Sequence, residues 1–374
     1  MTNLLDYLRW RGDLPFERDG FNEIDLLIFA QLAHTPMENL TKDHTKTHLP
    51  DLTDILYPTP PEGDKDSLPV QRYGLWKELI QTRRYASVSL RRFAARFVPK
   101  EEKQFAAALY AVNGVGVGAF RGTDATLVGW KEDFNMGFES PIPSQTEAVR
   151  FLETCAGDFD RLVVCGHSKG GNLAMYASAM CRPEVQDQII STFSYDGPGM
   201  DDATLQSDGW SRIASRIHSY IPESSVIGLL LGHAEQHIII QSDSTGIGQH
   251  NPYYWHILGP AFVRAEETTL SSRIMEETTH RFISNCTPEE RRVLINNVFS
   301  VLNATGARRL KELPMGLLTH LDAVTAAFRD IPEEDRKMAG ELLKMLAQSG
   351  GNSALSFAPG LWDKLLKLCG IGGN

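Results

Sequence analysis

The sequence predicts an α/β protein: a mostly parallel sheet flanked by helices, followed by an all-helical C-terminal region. Three observations predict it. Short apolar runs of strand composition alternate with helical patterns between residues 105 and 241. One of these runs, Leu162 to Cys165, passes through Gly166-His-Ser-Lys-Gly170 straight into a helix-forming stretch. Beyond residue 265 the strand signals stop and only helical patterns remain.

The elements follow in order, in three expected regions: 1–100, 101–264 and 265–374. In the first, Asn22 to Ala33 reads as an amphipathic helix with Ile24, Leu27, Ile28 and Leu32 on one side. Pro50, Pro58, Pro60, Pro61, Gly63 and Pro69 then break the chain, so His48 to Val70 reads as a surface loop that could serve as a lid. Leu75 to Phe97 reads as a helix with a solvated basic face of Arg83, Arg84, Arg91, Arg92 and Arg96. In the second region, Phe105–Val112 and Val115–Phe120 are strands joined by the hairpin pair Asn113-Gly114. Gln145–Thr154 is a helix, Arg161–Cys165 a strand and Ser168–Cys181 a helix halted near Pro183. Ile189–Tyr195, Ser211–Ile221 and His237–Gln241 complete the strands. In the third region, Thr287-Pro-Glu-Glu290 is a capping box with proline at the first helical position. Helices at Leu310–Phe328 and Glu333–Leu346, a Gly/Ser/Asn linker at Ser349–Ser353 and a short helix at Leu361–Leu368 follow.

Composition narrows the function. A 374-residue chain that is 42% hydrophobic can bury a large core, and its net charge of −10 argues against a nucleic-acid groove or adsorption to anionic membranes. The five cysteines, Cys155, Cys165, Cys181, Cys286 and Cys369, are odd in number and lack metal spacing, so reduced thiols are expected. Residues 1–16 carry no apolar segment of the secretory kind, and no run approaches membrane-spanning length. The expectation is a cytoplasmic protein with no metal or organic cofactor.

The chemistry concentrates at Gly166-His-Ser-Lys-Gly170. A strand entering a helix through so tight a turn needs residues without Cβ two before and two after its centre, which Gly166 and Gly170 supply. Such a turn lifts the Ser168 hydroxyl off the sheet edge and aims the Lys169 N–H, at a helix start, toward the same space. A serine hydroxyl needs a base, and the base needs a carboxylate to orient it. In this fold class the order along the chain is serine, acid, histidine. His250, in the loop after the last strand, has the position of the base, with His256 next. Glu223, after the strand ending near Ile221, has the position of the acid. Asp196 follows the strand before it, where Asp-Gly-Pro-Gly is also plain turn chemistry, and Asp243 follows the last strand. Arg121-Gly-Thr-Asp124 leaves another strand edge, so Thr123 joins Lys169 as a candidate oxyanion donor.

The ordered set Phe120-Arg-Gly-Thr-Asp124, Gly129-Trp-Lys-Glu-Asp-Phe134 and Gly166-His-Ser-Lys-Gly-Gly171 resembles the class 3 (fungal-type) lipase branch of the α/β hydrolases. With Asp196-Gly-Pro-Gly199 it more closely resembles a bacterial subfamily of lipase-like proteins. The resemblance spans roughly residues 20–260. It implies the α/β-hydrolase fold, Ser168 as nucleophile, His250 as base, Thr123 and the Lys169 N–H as oxyanion donors, and an acid after the strand from Arg216 to Ile221. Those lipases usually carry aspartate there, where this chain has Glu223, and leucine where it has Lys169. The lysine reads either as a partner of Glu132 or Asp133 or as a recognition point for an anionic group.

The expected activity is hydrolysis of carboxylic esters through an acyl-enzyme, the substrate being a small-molecule or lipid ester. Phe134, Met136, Phe138 and Leu229–Leu231 lie near predicted strand ends and are candidates for an apolar acyl pocket. The competing expectation is a non-catalytic or partner-regulated module that keeps the fold and uses its helical region for interaction.

Overall fold

The computed structural model describes residues 2–41 and 44–349. Its main sheet has eight strands in sequence order: β1 (Thr47–His48), β2 (Ser89–Val98), β3 (Lys103–Val112), β4 (Val115–Phe120), β5 (Leu162–His167), β6 (Ile189–Tyr195), β7 (Ile217–Pro222) and β8 (His237–Ile240). β1 pairs antiparallel to β2, β3 antiparallel to β4, and β4 to β8 run parallel. With helices on both faces, this is an α/β-hydrolase fold.

Alternation along the strands explains the two faces. Ala108, Tyr110, Val117, Ala119, Val163 and Cys165 face one core, where the helix Glu23–Leu32 lies. Phe105, Ala107, Leu109, Phe120, Leu162 and Val164 face the other, against the helices Pro143–Cys155 and Lys169–Met180. Strands covered on both faces read as nearly continuous apolar runs, as β5 does. The helix Glu23–Leu32 is buried from Ile24 through Leu32, so it is apolar on more than one side. Between β3 and β4, Asn113 (φ 47°) and Gly114 (φ 78°) both take the left-handed conformation that a tight two-residue hairpin demands.

Two sequence expectations are corrected. The basic helix expected at Leu75–Phe97 is a helix at Leu68–Leu79, one turn at Arg83–Ala86, and then strand β2. Its Arg- and Ala-rich composition favours a helix locally, but β2 sits between two partners in the sheet, and pairing overrides weak propensity. The strand expected at Ser211–Ile221 begins only at Ile217, since Asp208–Ile213 is helical behind a Ser207 N-cap. In the proposed lid, Leu49, Leu52 and Leu56 are buried in the first core, which anchors its start. The linker after Ser349, the helix Leu361–Leu368 and Cys369 lie outside the described residues.

The chain divides into two compact units. One comprises Met1–Phe97, Phe105–Gly122 and Pro143–His280; the other comprises Val98–Gln104, Thr123–Ile142 and Arg281–Asn374. In the second, Thr287 caps the helix Pro288–Ala304 through the expected capping box. That helix packs Leu294, Val298, Phe299 and Leu302 against Phe328 and Leu343, with Trp130, Phe134 and Phe138 around them. Phe134 and Phe138, expected near a substrate pocket, thus serve the core of the helical unit. Cys155, Cys165, Cys181 and Cys286 are unpaired thiols, as the cysteine count suggested. Among the described residues no helix is long and apolar enough to cross a membrane.

Within the first unit a buried ion pair ties the helix Glu23–Leu32 to the turn Arg83–Ala86. Arg84 reaches Asp25 at 2.6 Å and 2.8 Å, and both side chains are fully buried. Tyr7 and Tyr85 donate to the same carboxylate, and Arg84 also donates to the carbonyls of Leu14, Asp19 and Gly20. Removing one partner strands the other charge in the interior. Asp25→Ala is therefore expected to cost about 3–5 kcal/mol, read as a lowered urea midpoint. A loss below about 1 kcal/mol would contradict it.

Candidate active site

Ser168 follows the last residue of β5 and precedes the helix Lys169–Met180. Its backbone is left-handed (φ 60°, ψ −134°), a conformation costing a non-glycine residue about 1–3 kcal/mol. The Ser168 N–H donates to the Tyr195 carbonyl at 2.9 Å, and its carbonyl accepts the Gly171 N–H at 2.8 Å. The glycine requirement read from the sequence holds in space. A Cβ on Gly166 would lie 2.0 Å from the Gly170 carbonyl oxygen, and one on Gly170 would lie 2.2 Å from that of Phe120. Both contacts are with backbone, which cannot swing away. Gly170→Ala is expected to destabilise by more than about 3 kcal/mol, seen as loss of soluble protein or a lower melting temperature. Wild-type stability would refute it.

Strand register decides which carboxylate stands beside this turn. β5 and β6 run parallel with His167 opposite Tyr195, so Ser168 and Asp196 leave neighbouring strands at the same level. Asp196 is 1% exposed and also left-handed (φ 49°). Its Oδ2 lies 2.6 Å from His250 Nδ1. Its Oδ1 accepts the Ser225 hydroxyl at 2.5 Å and the Gly228 N–H at 3.1 Å. A carboxylate can only accept, so Nδ1 carries the proton and a neutral His250 has its lone pair on Nε2.

The expected acid, Glu223, does not take this place. It leaves β7, one strand beyond β6, and its backbone is engaged at the sheet edge: its N–H donates to the Ile240 carbonyl and its carbonyl accepts from Thr269. Asp243, the other alternative, lies 2.6 Å from His256 Nε2, so those two candidates pair with each other.

His250 is the last residue of a short 3-10 turn, Gly246–His250, and is partly exposed. The turn is braced by Gln249, whose amide donates to Ser244 and whose carbonyl accepts the Trp255 indole. The sequence reading missed His167, the variable residue of the elbow. Its Nε2 donates to the His250 carbonyl at 2.9 Å, and the two rings lie 4.6 Å apart, so the elbow itself holds the histidine-bearing turn. Burial keeps the His167 imidazole well below the ordinary histidine range, hence neutral. A second histidine before a serine carries no pattern that would have marked this role.

Lys169 opens the helix, but its side chain is 1% exposed and so lies inside the protein. The loop after β4 passes close to the serine: a Cβ on Gly122 would lie 3.2 Å from Ser168 Cβ and 2.6 Å from the His167 carbonyl oxygen. Thr123, the next residue, belongs to the second compact unit, where its hydroxyl donates to Asp133.

The family model described as Mbeg1-like matches residues 79–300. The chain belongs to the Mbeg1-like family. The matched span of this Mbeg1-like chain holds Ser168, Asp196 and His250. Among solved structures, the chain is similar to lipase II from Rhizopus niveus, at 12% identity and a TM-score of 0.34, over 59% of this chain and 80% of that one. It is also similar to M37 lipase, at 12% identity and a TM-score of 0.37, over 87% of this chain and 99% of that one. A comparison with curated proteins returned no match.

Proposed function

We propose that the protein is a serine hydrolase acting on carboxylic esters through an acyl-enzyme. The observation that carries the reading is the pairing of a strained serine turn with a buried carboxylate on the neighbouring strand that fixes a histidine tautomer. Backbone strain of this kind is retained where the chemistry needs the side chain presented.

In the proposed cycle, His250 Nε2 removes the Ser168 hydroxyl proton as Oγ attacks the ester carbonyl carbon. Asp196 stays ionised and stabilises the imidazolium. The oxyanion forms near the start of the helix Lys169–Met180, where the Lys169 N–H and the positive end of the helix dipole favour it. The carbonyl re-forms, the alkoxide leaves with the proton from His250, and the acyl group remains on Ser168. Water then attacks the acyl-enzyme with His250 again as base, which releases the acid and restores the serine.

The test is covalent. The purified chain is treated with a fluorophosphonate, which phosphonylates activated serines, and its peptides are mapped by mass spectrometry. An adduct on Ser168, together with hydrolysis of p-nitrophenyl esters, is the expected result. Folded protein that takes no adduct and cleaves no ester would overturn the reading and leave the fold as an interaction module.

A further inference from the structure

Cationic and neutral donors gather beside Ser168, in a protein whose net charge is −10. Gly122 touches the elbow on one side and His34 on the other, since its Cβ would lie 3.4 Å from the His34 ring. His34 in turn lies 6.4 Å, ring to ring, from His167. Arg121 precedes Gly122, and one of its nitrogens reaches Glu38 at 2.6 Å while its Nε is buried without a partner. Arg72 is within electrostatic reach of His34, His167 and Arg121. Its neighbour Gln71 accepts a bond at 2.9 Å from Asn251, the residue after His250.

Arg72 is the anomaly. Its Nε is buried with no hydrogen-bond partner, and among the described residues no carboxylate pairs with it. The Nε2 of His34 and the hydroxyl of Tyr253 are likewise buried and unpartnered. The Arg72 side chain is half-buried, and its guanidinium keeps its proton and charge in a protein. A half-buried cation without a carboxylate partner, next to buried polar atoms that lack partners, suits a ligand that satisfies them together. Asp196 is committed to His250, Ser225 and Gly228, and Glu38 to Arg121.

We infer that Arg72 and Arg121 form an anion-binding subsite beside Ser168, so that the preferred ester carries a carboxylate or phosphate group. This rests on the hydrolase reading. A guanidinium suits either anion, because its N–H fork matches the oxygens of both. The subsite would hold the charged end of the substrate while Ser168 addresses the ester.

The experiment compares a neutral with an anionic ester, p-nitrophenyl butyrate with mono-p-nitrophenyl succinate, on the full chain. The expected result is a kcat/KM about tenfold or more higher for the anionic ester, as charge-assisted hydrogen bonds give. In Arg72→Met that ratio collapses, and in Arg72→Lys it is partly kept. A second arm titrates Ser168→Ala with inorganic phosphate and with glutarate by calorimetry, separating the two anions without catalysis. An anionic-to-neutral ratio that is the same in wild type, Arg72→Met and Arg72→Lys, with fluorophosphonate labelling intact, overturns the subsite. If Ser168 takes no label and no ester is cleaved, the hydrolase reading fails alone. Anion binding by Ser168→Ala that is lost in Ser168→Ala/Arg72→Met would then still uphold the subsite.

Discussion

Ser168→Ala is expected to lower ester turnover by about 10⁵–10⁶-fold, because the substitution removes the only atom proposed to bond the acyl group. The change deletes one oxygen and leaves the left-handed backbone at φ 60° in place. Stability is therefore expected to stay within about 0.5 kcal/mol of wild type, as for a small substitution that opens no cavity. Ser168→Gly separates function from strain further. Glycine takes this conformation at no steric cost, so the variant is expected to melt higher, by about 1 kcal/mol of stability, while equally inactive. Turnover measured with p-nitrophenyl esters and thermal melts of both variants check the pair. Retention of more than about 1% of activity in Ser168→Ala would remove the serine from the mechanism.

Asp196→Asn is expected to cost about 10⁴-fold in kcat, with the fold preserved. The hydrogen bonds around Asp196 say why. Its Oδ1 accepts from both Ser225 and Gly228, so an asparagine keeps its carbonyl oxygen there and turns its NH₂ toward His250 Nδ1. The imidazole must then accept at Nδ1 and carry its proton on Nε2, the atom that has to take the serine proton. Glu223→Gln, at the site the sequence order favoured, is expected to change kcat less than about tenfold, since its contacts are made by backbone. A larger loss in Glu223→Gln than in Asp196→Asn would reverse the assignment of the acid.

The two carboxylates show where the sequence stops being legible. Chain order puts Asp196 one strand early, and its Asp-Gly-Pro-Gly context reads as a turn. Position in space depends instead on register: His167 lies opposite Tyr195, and the Ser168 N–H donates to the Tyr195 carbonyl, so the residues that follow are neighbours. No local pattern encodes which strand lies beside which. The misread β2 has the same cause, since its Arg- and Ala-rich composition carries no sign of the strands on either side of it. Phe134 and Phe138 looked like pocket residues because aromatics near strand ends are ambiguous until the helix that covers them is known.

The sequence by itself determined the features that depend on short-range chemistry. The glycines of the elbow, the Asn-Gly hairpin, the Thr287 capping box and the apolar period of β5 each involve residues within a few positions of one another, so their sterics and hydrogen bonds are written locally. Tertiary structure alone decided the long-range pairings. It set Asp196 rather than Glu223 on His250, made His167 the brace of the histidine turn, buried the Lys169 side chain, and brought the loop of Arg121 and Gly122 between the serine turn and His34. The physical reason is that these contacts join segments tens to hundreds of residues apart, and only sheet register and core packing bring such segments together.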